Sequence, residues 1–186
     1  SDKTGTLTVN EETAKKIVLP DDDTYEVEGT GYSFDGEVTG YDLKRAREIA
    51  LLGYINNESE VSETETVGDS IDIAFKVLGK KLNVKDKDIR IIETVPYESE
   101  NKYSAVFYEV DDEVYCTVKG SLDVVKSFCS KVYLTNDKIT TKKLEKQNEE
   151  LASDGYRVIA LANGKIGKKK SYSNINKYSK LTHIDF

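Results

Sequence analysis

Three runs between Ile89 and Lys119, IRIIETV, YSAVFYEV and EVYCTVK, are dense in β-branched and aromatic residues, the composition of buried strands. The last two are separated by Asp111-Asp112 alone, and so short an acidic turn makes them an antiparallel hairpin. Helical spacing surrounds this block. Apolar residues at 43, 46, 49, 50 and 52 predict a helix from Asp42 to Ile55, with Asp42 as its cap. Ile71, Ala74, Phe75, Leu78 and Leu82 predict a second, starting just after GDS. Leu122–Cys129 and Thr141–Ala152 read as helices, the latter stopping at Asp154-Gly155, and YRVIALA reads as a further buried strand. Near the start, KKIVLP and TYEVEGTGY read as strands punctuated by Pro20, the aspartates at 21–23 and the glycines at 29, 31 and 36. Hairpins mixed with interspersed helices imply an α+β fold, a twisted antiparallel β-sheet flanked by helices, rather than regular βαβ units.

Charge and composition exclude several functions. A formal charge of -7 argues against nucleic acid as the main partner. The lysine run GKIGKKK, Gly164 to Lys170, reads as a solvated loop. No stretch approaches the roughly 18 apolar residues of a membrane span. Cys116 and Cys129 lack metal or redox spacing and His183 is the single histidine, so a zinc site is not expected. Asn57-Glu58-Ser59 is a glycosylation triplet without a secretory context. GxxxxGK[ST] fails at Gly167-Lys168, where Ala162 replaces the first glycine and Lys169 the hydroxyl residue, and it fails at Gly79-Lys80, followed by Lys81. The aspartates at 21–23 lack the glycine and glutamate of a calcium loop.

A different route to phosphate chemistry stands in the opening octet, SDKTGTLT, which does not share the hydrophobic rhythm of the rest of the chain. An aspartate can attack a phosphoryl group and split one displacement into two easier steps. Asp2 would be the nucleophile, with Lys3 making the local field positive, Thr4 and Thr6 supplying oxygens and Gly5 allowing close backbone approach. A threonine at position 4 cannot act as an acid–base, so an aspartyl-phosphate there could persist. With no methionine in 186 residues, the sequence reads as a chain either processed or cut out of something larger.

The string DKTGTLT resembles the phosphorylation motif of P-type ATPases, and four further stretches fall in that family's order. GDSIDIAF at 68–75 is similar to its GDPTE-type segment, and VPYESENKYSAV at 95–106 to its PF-x-S-x-x-K segment. VKGS at 118–121 looks like the KGA motif, and DGYRVIALA at 154–162 like the segment whose arginine reaches the nucleotide phosphates. The resemblance implies a nucleotide-binding domain at 14–178 between two stubs of the phosphorylation domain, at 1–13 and 179–186. Its later motifs are absent from this sequence, so the chain is expected to bind nucleotide without hydrolysing it.

The implied ligands are ATP and Mg²⁺. The resemblance assigns Asp2, Lys3 and Thr4 to catalysis in the parent, with Asp2 and Thr4 as Mg²⁺ ligands, and assigns Asp69, Asp72, Tyr97, Lys102, Ser104, Lys119, Gly120, Ser121 and Arg157 to the nucleotide. Each residue has an ordinary alternative. Tyr97 stacks on adenine or is a core aromatic; Lys119 holds the ligand or merely ends a strand; Arg157, in an otherwise apolar strand, meets phosphate or a structural carboxylate. Gly120 would let a ligand approach and Ser121 would cap the next helix. Asp72 would accept from the adenine amino group, although one of Asp69 and Asp72 could instead cap its helix. Departures from the family pattern are Asp72 for Glu, Ser70 for Pro, Tyr97 for Phe, Ser121 for Ala, and Ser99 where some calcium pumps carry arginine. One stack and one or two charge-assisted hydrogen bonds imply a submillimolar to millimolar affinity, roughly -4 to -5 kcal/mol.

The expected whole is the cytoplasmic domain of an integral-membrane cation pump, with calcium as the ion. Its partners would be the rest of the phosphorylation domain, the actuator domain and the membrane helices, with no nucleic acid, and the chain itself would be monomeric. Hinges near 9–14 and 178–183 would swing the γ-phosphate toward Asp2. Two readings compete: a soluble phosphatase or phosphotransferase of the haloacid dehalogenase type, and an interaction module without a nucleotide.

Overall fold

The computed structural model describes residues 12–62, 64–129, 141–166 and 184–185. They belong to two compact units, one running to Lys85 and the other starting at Asp86.

In the first unit, β1 (Lys16–Val18), β2 (Thr24–Val27) and β3 (Val38–Thr39) form an antiparallel sheet in chain order. Tyr25 is its buried anchor, and its hydroxyl donates to the Asp42 carbonyl at 2.6 Å. A Cβ at Gly40 would stand 2.2 Å from the Tyr25 ring, so that position requires glycine. Asp42 then caps α1 (Leu43–Ile55) as expected, accepting from the Lys44 N–H at 3.1 Å. From α1, Arg45 forks onto Asp23 at 2.6 Å and Asp21 at 2.7 Å. The acidic turn is therefore a seat for an arginine.

Helix α2 (Ser70–Lys81) comes after a small hairpin of β4 (Glu60–Val61) and β5 (Thr66–Val67), which the apolar periodicity does not reveal. Two glycines near the C-terminal ends of their helices let α1 and α2 pack closely. A Cβ on Gly53 would meet the Phe75 ring at 2.2 Å, and one on Gly79 would meet the Tyr54 ring at 2.4 Å. Each helix thus offers a flat spot to an aromatic ring of the other. Asn57 bridges the same two helices, donating to the Gly53 carbonyl at 3.0 Å and the Asp72 carbonyl at 2.7 Å. Its amide nitrogen is in use, which gives the glycosylation triplet a structural role.

The second unit is a five-stranded antiparallel sheet in the order β10-β9-β8-β7-β6. Its strands are β6 (Arg90–Glu98), β7 (Tyr103–Val110), β8 (Glu113–Gly120), β9 (Ala160–Lys165) and β10 (Ile184–Asp185). The Asp111-Asp112 turn joins β7 to β8 as expected, with both residues at positive φ (53° and 64°), the conformation that matches strand twist. Tyr103, Ala105, Phe107, Val114, Cys116 and Val118 alternate onto one face. That face is covered by α3 (Leu122–Val125), a 3-10 turn (Lys126–Phe128) and α4 (Thr141–Ser153) through Val125, Phe128 and Leu144. Lys126 ties the two helical pieces together on Glu145 at 2.8 Å.

Two expectations need correction. The helix predicted over Leu122–Cys129 is a four-residue α segment continued as a 3-10 turn. The strand predicted from Tyr156 begins only at Ala160. α4 ends in a Schellman motif in which Tyr156 donates to Leu151 O at 3.1 Å and Gly155, at φ +91°, donates to Ala152 O at 3.0 Å. Because β8 stops at Gly120, opposite Ala160, it offers no backbone for residues 156–159 to pair with.

Candidate functional site

Register brings most of the expected residues to one end of the sheet in the second unit. Glu98 pairs with Tyr103, Tyr103 with Gly120, and Gly120 with Ala160, so four strands end on one line. Tyr97 is at that end of β6. The pairing slips between Val95 and Glu98, and Pro96-Tyr97 forms the irregularity. A proline is tolerated at an edge-strand bulge because its missing N–H leaves no ladder bond unmade. Tyr97 is 53% exposed, which rules out the core-aromatic reading and leaves its ring available to a ligand.

Ser104 and Lys119 are direct cross-strand partners and both are 5% exposed. Thr94, Val106 and Leu161 share their face of the sheet by alternation and register. Lys119 is therefore no ordinary strand-end lysine in water. A buried ammonium costs far more free energy than a solvated one and has to be compensated locally.

Lys102 sits in the turn between β6 and β7 at φ +60°. Its N–H and that of Asn101 both donate to the Glu98 carbonyl, at 2.8 Å and 3.0 Å. Its own carbonyl accepts from the Ser121 N–H at 3.2 Å. A Cβ on Gly120 would stand 2.2 Å from that carbonyl oxygen, so glycine is required here to admit the Lys102 turn. The expectation from sequence was that Gly120 serves close ligand approach. Glu98, which anchors this turn through its backbone, was not among the expected residues, because a main-chain acceptor leaves no side-chain signal.

Ser121 stands at the N-cap of α3, where its carbonyl accepts from Val124 and Val125 at 3.2 Å and 2.9 Å. Its hydroxyl makes no capping bond, contrary to expectation, and its buried Oγ has no hydrogen-bond partner among the described residues. A four-residue helix also has too few aligned dipoles to make an anion site of its N-terminus. Arg157 is exposed, in the segment between α4 and β9 rather than within a strand. It precedes Ala160, which pairs with Gly120, by three residues.

Asp69 and Asp72 belong to the first unit, and their backbone settles which of them caps α2. Asp69 Oδ2 accepts from the Ile71 N–H at 3.0 Å and the Asp72 N–H at 3.4 Å. Asp72 Oδ2 accepts from the Glu58 N–H at 3.0 Å, tying α2 to the end of the α1–β4 connection. Asp2, Lys3 and Thr4 lie outside the described residues. Among the described residues, no group of three or more His, Cys, Asp and Glu is arranged to hold a metal ion, and no helix is long and apolar enough to cross a membrane.

The family model for the P-type ATPase cytoplasmic domain N matches residues 46–184. The chain is 32% identical over 184 residues to calcium-transporting ATPase type 2C member 2 of Rattus norvegicus, across 88% of this chain and 19% of that protein. The Mus musculus protein of the same name is 31% identical over 185 residues, with the same coverage of 88% and 19%. A calcium-transporting ATPase of Listeria monocytogenes is 29% identical over 170 residues, 86% of this chain and 18% of that protein. The chain therefore spans about a fifth of the length of the curated relatives it matches.

Proposed function

Since the chain belongs to the P-type ATPases through their cytoplasmic domain N, we propose that it binds ATP at the Glu98–Tyr103–Gly120–Ala160 end of its five-stranded sheet. The observation that carries this is the shared sheet end of Tyr97, Lys102, Ser104, Lys119 and Gly120, with Ser121 and Arg157 just beyond it. An exposed ring offers a stacking platform, worth about 1–3 kcal/mol per base. Lys102 and Arg157, both exposed, supply cations that can reach phosphate oxygens. Lys119 brings a cation to the buried end of the same surface.

In the parent protein the bound ATP would deliver its γ-phosphoryl group to Asp2. A carboxylate oxygen forms the new bond to phosphorus while the bond to the β,γ-bridging oxygen breaks, and ADP leaves with that electron pair. Lys3 and Thr4 would assist this step. Mg²⁺, when bound, supplies charge neutralisation on the phosphates, with Asp2 and Thr4 as its proposed holders. Residues 1–13 and 179–186 would then lead to the phosphorylation domain, with hinges near 9–14 and 178–183 and with Ile184–Asp185 still paired to β9. The names of the relatives point to calcium as the transported ion, moved by membrane helices that answer to the phosphorylation and actuator domains.

A titration of the chain with ATP, followed by NMR, tests the binding step. The expected result is saturable shifts around Tyr97, Lys102 and Lys119, with a submillimolar to millimolar Kd. Tyr97→Ala should weaken binding by about fivefold or more while leaving the melting temperature unchanged, since the ring is exposed. No response to ATP at ten times that range, about 10 mM, would overturn the proposal.

A further inference from the structure

Within the first unit, which does not contain the sheet end just described, two lysines from distant parts of the sequence donate to one loop. Lys15, immediately before β1, donates to the Gly29 carbonyl. Lys81, the last residue of α2, donates to the Glu28 carbonyl at 2.7 Å. The acceptors belong to consecutive residues, which brings both ammonium groups to the same loop. Burial first, and then the charge of Lys15, pull the Lys81 amine below the ordinary lysine range.

The seat itself is tightly built. Gly29 is at φ +108°, and a Cβ there would stand 2.7 Å from Lys81 Nζ and 2.6 Å from the Asp35 carbonyl oxygen. Gly36, at φ +114°, closes the loop, since its Cβ would stand 2.3 Å from the Glu28 carbonyl oxygen. Both lysines are partly accessible. In a chain with 34 acidic and 27 basic residues, neither of these ammonium groups pairs with a carboxylate among the described residues. The carboxylates nearest in sequence to the loop, Glu28, Asp35 and Glu37, belong to exposed residues. Two ammonium groups on one loop, neither paired with a carboxylate among the described residues, repel each other, and an anion between them offsets that repulsion.

We propose that Lys15 and Lys81 form an oxyanion site that takes phosphate or a phosphate monoester bridging the two ammonium groups. Each ammonium has three N–H donors and the carbonyl bond uses one, so donors remain on both. A tetrahedral dianion presents several acceptor oxygens and can accept from two cations at once, which a chloride ion cannot do as well. Binding would tie the segment entering the unit at Lys15 to the C-terminal end of α2. The site shares no residue with the proposed nucleotide surface.

The test is a titration of the 186-residue chain, carrying ¹³C-labelled lysine, with inorganic phosphate at ionic strength held constant by sodium chloride. The Cε signals of Lys15 and Lys81 should shift saturably, and the titration midpoint of Lys81 should move upward when phosphate is bound. Lys15→Gln should weaken phosphate binding by about tenfold, whereas Lys15→Arg should retain most of it. Glycerol phosphate separates the two sources: a response equal to that of phosphate identifies a monoester site, and a response to phosphate alone identifies a site for the free ion. The proposal fails if chloride reproduces the shifts, if they do not saturate, or if Lys15→Gln leaves the affinity unchanged. ATP binding followed at Tyr97 should be the same in Lys15→Gln as in the parent chain, so failure here is distinguishable from failure of the nucleotide reading. Should Lys81→Gln not fold, the two Lys15 variants carry the test.

Discussion

Asp69 and Asp72 are three residues apart on one helix, and their neighbours give them different work. Asp69 is spent on the first turn of α2, so Asp69→Ala should destabilise the chain by about 1 kcal/mol, the usual cost of a lost cap. Thermal melting checks this, with a fall of about 2–4 °C expected. Asp21 contributes a pH dependence to stability. Burial alone would raise its carboxyl; the Arg45 hydrogen bond and charge, with backbone donors, outweigh that and hold it below the ordinary 3.8. The folded value is thus below the unfolded one. Its stabilisation is complete above the ordinary value and is lost as pH falls through the folded value. Melting temperatures measured between about pH 2 and 5 should show this loss in the parent chain and a shallower slope in Arg45→Ala. At this scale the sequence identified the titratable residues, but the acidic triplet became a seat for Arg45 only through a contact 22 residues away in sequence.

For the helices and strands, periodicity was a good guide where an element buries one face. α1, α2, β7 and β8 lie where their apolar spacing placed them, because that spacing is the cause of the burial. Spacing failed where a partner sets the limit. Arg157 lies in a run with every mark of a strand, yet residues 156–159 join no strand ladder because β8 has already ended. The glycines of α1 and α2 show the same dependence. Helix propensity alone would make Gly53→Ala stabilising by about 1 kcal/mol. The Phe75 ring 2.2 Å from the added methyl reverses the sign, and a loss of about 1–3 kcal/mol is expected by denaturant unfolding.

Across the whole molecule, ligand binding and stability are linked. If ATP binds with a Kd near 1 mM, 10 mM ATP should stabilise the chain by about 1.4 kcal/mol and raise its melting temperature by ~3–6 °C. A chain lacking the Tyr97 ring should lose most of that rise. What the sequence determined by itself was most of the longer strands and helices, the family and the residue types at the proposed ligand surface. Those come from local side-chain chemistry and from short motifs whose spacing the chain carries wherever it goes. Only the tertiary structure decided that Gly120 admits a backbone carbonyl, that the Ser121 hydroxyl caps nothing, that Lys119 is buried against Ser104, and that Lys15 and Lys81 share a seat. Each of these depends on strand register or on a close approach between residues far apart in sequence. Neither is encoded at a single position, because both arise from which neighbour the folded backbone brings within a few ångströms.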